Sequence, residues 1–142
     1  MMREKTILQY LEEHGIRPSV QRIAIAEYLI KHKTHPTADE IYEALSPQIP
    51  TLSKTTVYNT LKLFADCGVA SLLNIDEKNI RFDGEITPHA HLKCKKCGKI
   101  KDVMGCRFPR YFRKDFYVME TQVFFVGFCE ECMSNITHNS NN

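Results

Sequence analysis

The sequence has no uninterrupted apolar run approaching the ~18 residues that a membrane-spanning helix needs, so no spanning helix is expected. It also lacks a signal-peptide pattern. The run MMREKTILQYLEEHG is charged and periodic with no apolar h-region, and a cytoplasmic protein is the expectation. Charge of one sign is scarce. The formal net charge is +2, with 10 Lys and Arg against 11 Asp and Glu in residues 1–83, and 9 against 6 in residues 84–142. Neither half is a basic arm, so any nucleic-acid binding must come from local placement of cations. Length is limited too: 142 residues suit one medium domain or two small ones, not a multidomain enzyme. Cysteine is not scarce. Six in such a compartment read first as metal ligands or redox groups and second as disulfides.

The first half reads as helices followed by a hairpin. Ile7, Leu8 and Leu11 make one stripe of a short helix that stops near Gly15. Pro18 suits the first turn of a second helix over about Ser19–Lys33, apolar nearly all round and therefore central. Thr37-Ala-Asp-Glu40 fits a capping box that opens a third helix, which ends before Pro47. Ser53 is the predicted N-cap of a fourth helix. Val57, Leu61, Phe64 and Ala65 fall on its inner side; Thr55, Tyr58, Asn59 and Lys62 fall on the other. Taken alone, that polar face reads as solvated surface. Two strand-like runs follow, Ala70–Ile75 and Ile80–Asp83, around a polar turn at Asp76–Asn79. Helices closed by a hairpin make a winged helix, in which the helix before the wing enters the major groove. This places Thr55, Tyr58 and Asn59 near base edges, and Arg17, Arg22, Lys54 and Lys62 near phosphates.

The second half is organised by metal-ligand spacing. Cys94-Lys-Lys-Cys97-Gly and Cys129-Glu-Glu-Cys132 are two C-x-x-C pairs separated by 31 residues. Four thiolates favour tetrahedral Zn²⁺ as a structural staple, with an iron centre, a disulfide or a redox motif as alternatives. Cys67 reads as a small apolar residue at a helix end, and Cys106 as the same or a reactive thiol. Strands are expected at Tyr117–Glu120 and Gln122–Phe128, the latter an apolar edge suited to pairing with a second copy. Arg81-Phe-Asp83, His89-Ala-His91 and Asp102 form a further constellation. His89 and His91 share a parity, and nitrogen with carboxylate ligands suits Fe²⁺, Mn²⁺ or Zn²⁺. The plain alternative is ordinary surface His and Asp. His35 joins such a set only if the two halves fold together.

These motifs together resemble the ferric uptake regulator family. The resemblance is carried by His35-Pro-Thr-Ala-Asp-Glu-Ile-Tyr42, by Ser53-Lys-Thr-Thr-Val-Tyr-Asn-Thr-Leu61, and by Arg81-Phe-Asp83 with His89-Ala-His91-Leu-Lys-Cys-Lys-Lys-Cys-Gly98 and Asp102, across about residues 1–132. It implies an α+β chain: a winged-helix DNA-binding domain at 1–83, a hinge at 84–88, and an α/β dimerisation and metal-binding domain at 89–134 with its structural zinc. A disordered Asn-rich tail is expected at 135–142. It also implies a homodimer that represses genes from palindromic double-stranded operators when loaded with a divalent metal. Within the family the chain is similar to the peroxide-sensing branch, which implies a regulatory Fe²⁺ or Mn²⁺ site of His35, Asp83, His89, His91 and Asp102. Asp102 stands where iron-sensing members usually have Glu. The resemblance then implies Fe²⁺-driven oxidation of a ligand imidazole, His35 or His89, with peroxide as the signal and no other small-molecule substrate.

Some features depart from the family. The segment between Cys97 and Cys129 is shorter than usual, and a helix within Met104–Lys114 is expected to be short or broken by Gly105 and Pro109. Glu120–Phe128 has no His, so the additional metal site of some iron-sensing members is not expected. The alternatives are an iron-, manganese- or zinc-level sensor of the same architecture, a zinc-stapled interaction domain, and a non-haem iron enzyme. The last is disfavoured because five protein ligands leave little room for substrate in so small a chain. The expectation is a regulator, not an enzyme.

Overall fold

A computed structural model describes residues 4–74, 79–85, 89–106, 114–118 and 120–139. The chain divides into two compact units, Met1–Ile86 and Thr87–Asn142. The first contains helices α1 (Glu4–Glu13), α2 (Val20–Lys31), α3 (Ala38–Leu45) and α4 (Lys54–Asp66), then strands β1 (Ser71–Leu73) and β2 (Arg81–Asp83). The second contains β3 (Ala90–Cys94), β4 (Ile100–Val103), β5 (Val123–Gly127) and helix α5 (Glu130–Asn139). The fold is α+β, with a winged helix first and a small α/β unit second.

Local chemistry sets the helix ends of the first unit. Ser19 is the N-cap of α2 and its side chain accepts from the Arg22 N–H. Pro18 therefore lies just outside α2, not in its first turn. Thr37 and Glu40 close the capping box on α3, each side chain accepting from the other's backbone N–H. Ser53 caps α4 by accepting from the Thr56 N–H. Ile25, Ala26 and Leu29 of α2, Ile41 of α3, and Val57, Leu61 and Phe64 of α4 meet Leu11 and Phe82 in one core. Thr60 is also buried on α4, whereas Ala65 is only half-buried. α2 is less enclosed than its composition predicts: Val20, in its first turn, is 77% exposed. β1 and β2 pair antiparallel with Leu72 opposite Phe82. Most of the polar turn at Asp76–Asn79 lies outside the described residues. Removing the α3 cap with Thr37→Ala should cost about 1 kcal/mol in urea unfolding.

The second unit is a three-stranded sheet in the order β4-β3-β5, with β4 antiparallel and β5 parallel to β3. Its core is sparse. Among its described residues the buried ones are Ala90, His91, Cys94 and Cys132. The strand expected at Tyr117–Glu120 does not form at the described positions there; these residues are exposed and lack a strand partner that would bury Tyr117 or Val118. Helix α5 runs to Asn139, through the segment from Asn135 where the composition suggests a disordered tail. Glu130 and Glu131 in its first turn suit the positive end of the helix dipole, and the Met133 N–H donates to the Cys129 carbonyl at its start. Residues 86–88 of the expected hinge, 107–113 of the expected broken helix, and 140–142 of the tail lie outside the described residues.

Candidate metal centres and nucleic-acid interface

The tetracysteine cluster belongs wholly to the second unit. Cys94 ends β3, Cys97 sits on the turn after it, Cys129 follows β5, and Cys132 lies in the first turn of α5. Parallel pairing brings Cys94 opposite Gly127, so both C-x-x-C segments leave the sheet at the same end. Lys95 N–H donates to the Gly127 carbonyl at 2.7 Å and ties the two segments together. Gly98, at φ +77°, lets the knuckle turn back so that its N–H reaches the Cys94 carbonyl. The four Sγ atoms all lie within 4.8 Å of one another, with Cys97 and Cys129 sulfurs at 3.8 Å. None of the cysteines is in a disulfide.

Electrostatics favour thiolate at Cys94. Backbone N–H groups of Cys97 and then Cys129 lower the Cys94 thiol to about 5, against a smaller opposing effect of burial. Cys132 is pushed up to about 12, first by its hydrogen bond to Cys129 and then by burial. The backbone N–H groups thus favour the anion at Cys94, whereas the neighbouring sulfurs and burial favour the thiol at Cys132. A divalent ion replaces thiol protons with a charge that all four sulfurs share, so uptake releases protons and weakens as pH falls. The donor set and geometry fit structural Zn²⁺.

A second donor set lies on the same sheet. Register places His91 directly opposite Asp102 across β3 and β4. His89, one position before β3, points to the same side. His89 Nε2 and His91 Nε2 are 3.1 Å apart, and they lie 3.5 Å and 3.3 Å from Asp102 Oδ1. The three side chains are at most 15% exposed. Two imidazole nitrogens and a carboxylate oxygen converging this closely are acceptors facing acceptors unless a proton or cation lies between them. A divalent ion fits, and this donor set suits Fe²⁺, Mn²⁺ or Zn²⁺. Phe124 of β5 lies against His91, its ring centre 5.8 Å away, and restricts the imidazole.

The first unit holds a His–Asp pair. His35 Nε2 and Asp83 Oδ2 are 3.7 Å apart with both side chains buried. His35 has φ +54°, a left-handed conformation that costs a non-glycine residue about 1–3 kcal/mol. The following Pro36 also disfavours the right-handed helical region. The strain is held by β2: Arg81 Nη1 donates to the His35 carbonyl at 3.0 Å, and the Phe82 N–H donates to the Pro36 carbonyl at 2.9 Å. Neither Arg81 as a clamp nor the turn at His35 is evident from residue spacing.

The residues predicted at DNA share one region of the first unit. Thr55, Tyr58, Asn59 and Lys62 are exposed on α4, and the Lys62 ammonium lies 5.7 Å from the Tyr58 ring centre. Lys54 is drawn toward α3, 3.8 Å from Asp39 and 5.7 Å from the centre of the Tyr42 ring. Arg22 Nη1 donates to the Arg17 carbonyl at 2.8 Å. A polar cleft of about 390 Å³ runs between the start of α2 and α4, lined by Ser19, Gln21, Arg22, Thr56, Asn59 and Thr60 with Leu63. Ser19 and Thr56 escaped sequence reasoning, although the capping motifs that place them were visible.

Comparisons agree with this architecture. Residues 13–114 match the model of the ferric uptake regulator family. The peroxide-responsive repressor PerR of Staphylococcus aureus (strain Mu50) is 42% identical over 127 residues, 86% of each chain. The structure of PerR from Streptococcus pyogenes, described as a basis for peroxide sensing and gene regulation, shares 30% identity and a TM-score of 0.54. That alignment covers 93% of this chain and 94% of that one. The Helicobacter pylori ferric uptake regulator Fur aligns over 93% and 95% with a TM-score of 0.68 at 18% identity, a likeness of fold. On the family match and the identity to PerR, this chain belongs to the ferric uptake regulator family.

Proposed function

We propose that the protein is a metal-dependent transcriptional repressor that senses hydrogen peroxide and binds palindromic operator DNA as a homodimer. The observation that carries this reading is the convergence of His89, His91 and Asp102 on one point, beside a separate tetrathiolate set. The relatedness to PerR supports the peroxide signal. In this reading the four cysteines hold structural zinc. One regulatory Fe²⁺ or Mn²⁺ draws on both units: His35 and Asp83 from the first, His89, His91 and Asp102 from the second. Each set alone is small, two donors and three, so joining them would leave fewer positions at an octahedral Fe²⁺ or Mn²⁺ to water.

An Fe²⁺ held by these donors would supply the redox chemistry by which peroxide oxidises a ligand imidazole, His35 or His89: one peroxide oxygen would be added to the ring and the other would leave as water. The protein's own side chains set the rest. Asp102 is one methylene shorter than Glu, which leaves a position at the site open to peroxide. Donors from both units fix one unit's orientation against the other, and oxidation of a donor releases it. In a dimer this sets the spacing of two α4 helices, which must match half-sites about 34–36 Å apart or multiples of that distance. If loading tightens operator binding 100-fold, the ion favours the competent form by about 2.7 kcal/mol. A sensor of iron, manganese or zinc level is the second reading, since the same nitrogen and carboxylate donors serve all three metals.

Peroxide treatment separates the two. The Fe²⁺-loaded protein should gain one oxygen on a His35 or His89 peptide and lose operator binding, while the Mn²⁺-loaded protein keeps both peptides intact. Unmodified histidines with operator binding retained would favour the metal-level sensor. Tyr58→Ala should weaken operator binding of the loaded protein by about 10-fold or more, read by fluorescence anisotropy. Unchanged affinity would remove α4 from the interface.

A further inference from the structure

The exit from the wing is built more tightly than a hinge requires. Asp83 ends β2 with Oδ2 toward His35 Nε2 and with Oδ1 accepting the Glu85 N–H at 2.8 Å. Between them, Gly84 passes hard against α2. A Cβ at position 84 would lie 2.9 Å from the Leu29 carbonyl oxygen and 3.0 Å from its carbon. Both are backbone atoms of α2, so they cannot swing aside. The Glu85 side chain then anchors the far end, with Oε2 at 3.5 Å from Lys33 Nζ. Its charge is also felt on α1, where burial first and Glu85 second raise the Tyr10 hydroxyl. The expected hinge at 84–88 is therefore pinned at its first two positions.

We propose that the Glu85 amide, admitted by Gly84, is a positioning group that reserves Asp83 Oδ1 and presents Oδ2 as the one oxygen Asp83 gives to the regulatory metal. A carboxylate oxygen that already accepts a charge-assisted N–H bond is a poorer donor to a cation. Outer partners of this kind orient a ligand and set metal affinity. The consequence is a single-oxygen ligand, which limits how many positions the protein fills at the ion. Glu85 and Gly84 touch no metal themselves. The proposal rests on the assignment of Asp83 as a regulatory ligand.

The test uses the full-length, zinc-containing protein and Mn²⁺ as probe, with free Mn²⁺ followed by electron paramagnetic resonance. Glu85→Ala keeps the N–H and should stay within about threefold of the parent. Glu85→Pro deletes the N–H, and Gly84→Ala displaces it. Each should weaken Mn²⁺ by about 10–100-fold while zinc content stays constant. Infrared carboxylate bands should show Asp83 as a single-oxygen ligand in the parent and shift toward two-oxygen binding in Gly84→Ala. This readout does not depend on Glu85→Pro folding, and a purely structural role would not produce it. Asp83→Ala separates the two levels of the argument. If Asp83→Ala loses Mn²⁺ while Glu85→Pro and Gly84→Ala bind as the parent does, the positioning role is wrong and the ligand assignment stands. If Asp83→Ala binds like the parent, the ligand assignment falls and the positioning role with it. Two-oxygen binding in the parent also overturns the proposal.

Discussion

Cys97→Ser is expected to strip zinc from the protein and unfold the Thr87–Asn142 unit, leaving the Met1–Ile86 unit folded. The reason lies in where each unit keeps its apolar surface. The first has a continuous core from Ile7 and Leu11 through Phe64 to Phe82. The second buries little among its described residues beyond Ala90, His91 and two of the cysteines, and leaves Phe125, Val126 and Phe128 at least half exposed. A unit so small and so open cannot offset its own chain entropy, and a structural zinc worth about 10–16 kcal/mol in comparable sites outweighs every other contact there. Cys97 is the most exposed of the four ligands, so replacing it disturbs packing least and isolates the loss of the fourth bond. Zinc content by mass spectrometry and a two-step thermal melt check this. A variant that keeps its zinc and melts as the parent does would contradict a structural role for the cluster.

Asp102→Ala carries the second large effect. The Asp102 carboxylate faces His89 and His91 from the neighbouring strand, held there by the pairing of β3 with β4. Without it two imidazoles remain at 3.1 Å with no carboxylate from β4 beside them. Regulatory Mn²⁺ affinity should fall by at least about 100-fold, more than an outer-shell change produces, with zinc retained. Metal-dependent operator binding should disappear with it. Asp102→Glu is the finer test. It keeps the charge and adds a methylene, so metal-dependent operator binding should persist while oxidation of His35 and His89 by peroxide falls. Undiminished oxidation in Asp102→Glu would refute the role given to the shorter carboxylate.

The parts of the molecule that are legible in sequence are those whose cause is local. The Thr37–Glu40 box and the Ser53 cap announce their helices because a side chain satisfies a backbone N–H three residues away. The C-x-x-C pairs announce a cluster because each needs only one turn to aim two sulfurs. The wing strands follow from two strand-like runs around a polar turn, although β2 itself is only Arg81-Phe82-Asp83. Strand β4 is not visible, since Ile100–Val103 is too short to show a period, and with it the register that sets Asp102 opposite His91. The last turns of α5, from Asn135 to Asn139, are not visible either: Asn-rich composition argues for coil, whereas the start of this helix is fixed by Cys129 and Cys132. The left-handed turn at His35 and the contact of Gly84 with Leu29 depend on β2 and α2 meeting across the first unit, which no short window of sequence encodes.

The proposed switch requires one regulatory ion that takes donors from both units. Mn²⁺ titration of the zinc-containing full-length protein tests this directly, comparing the parent with His35→Ala, from the first unit, and His91→Ala, from the second. The expected result is one regulatory ion per chain in the parent and a large loss of affinity in both variants, with operator binding lost in parallel. Parent-like Mn²⁺ binding in His35→Ala, or two independent ions per chain of which each variant loses one, would contradict it.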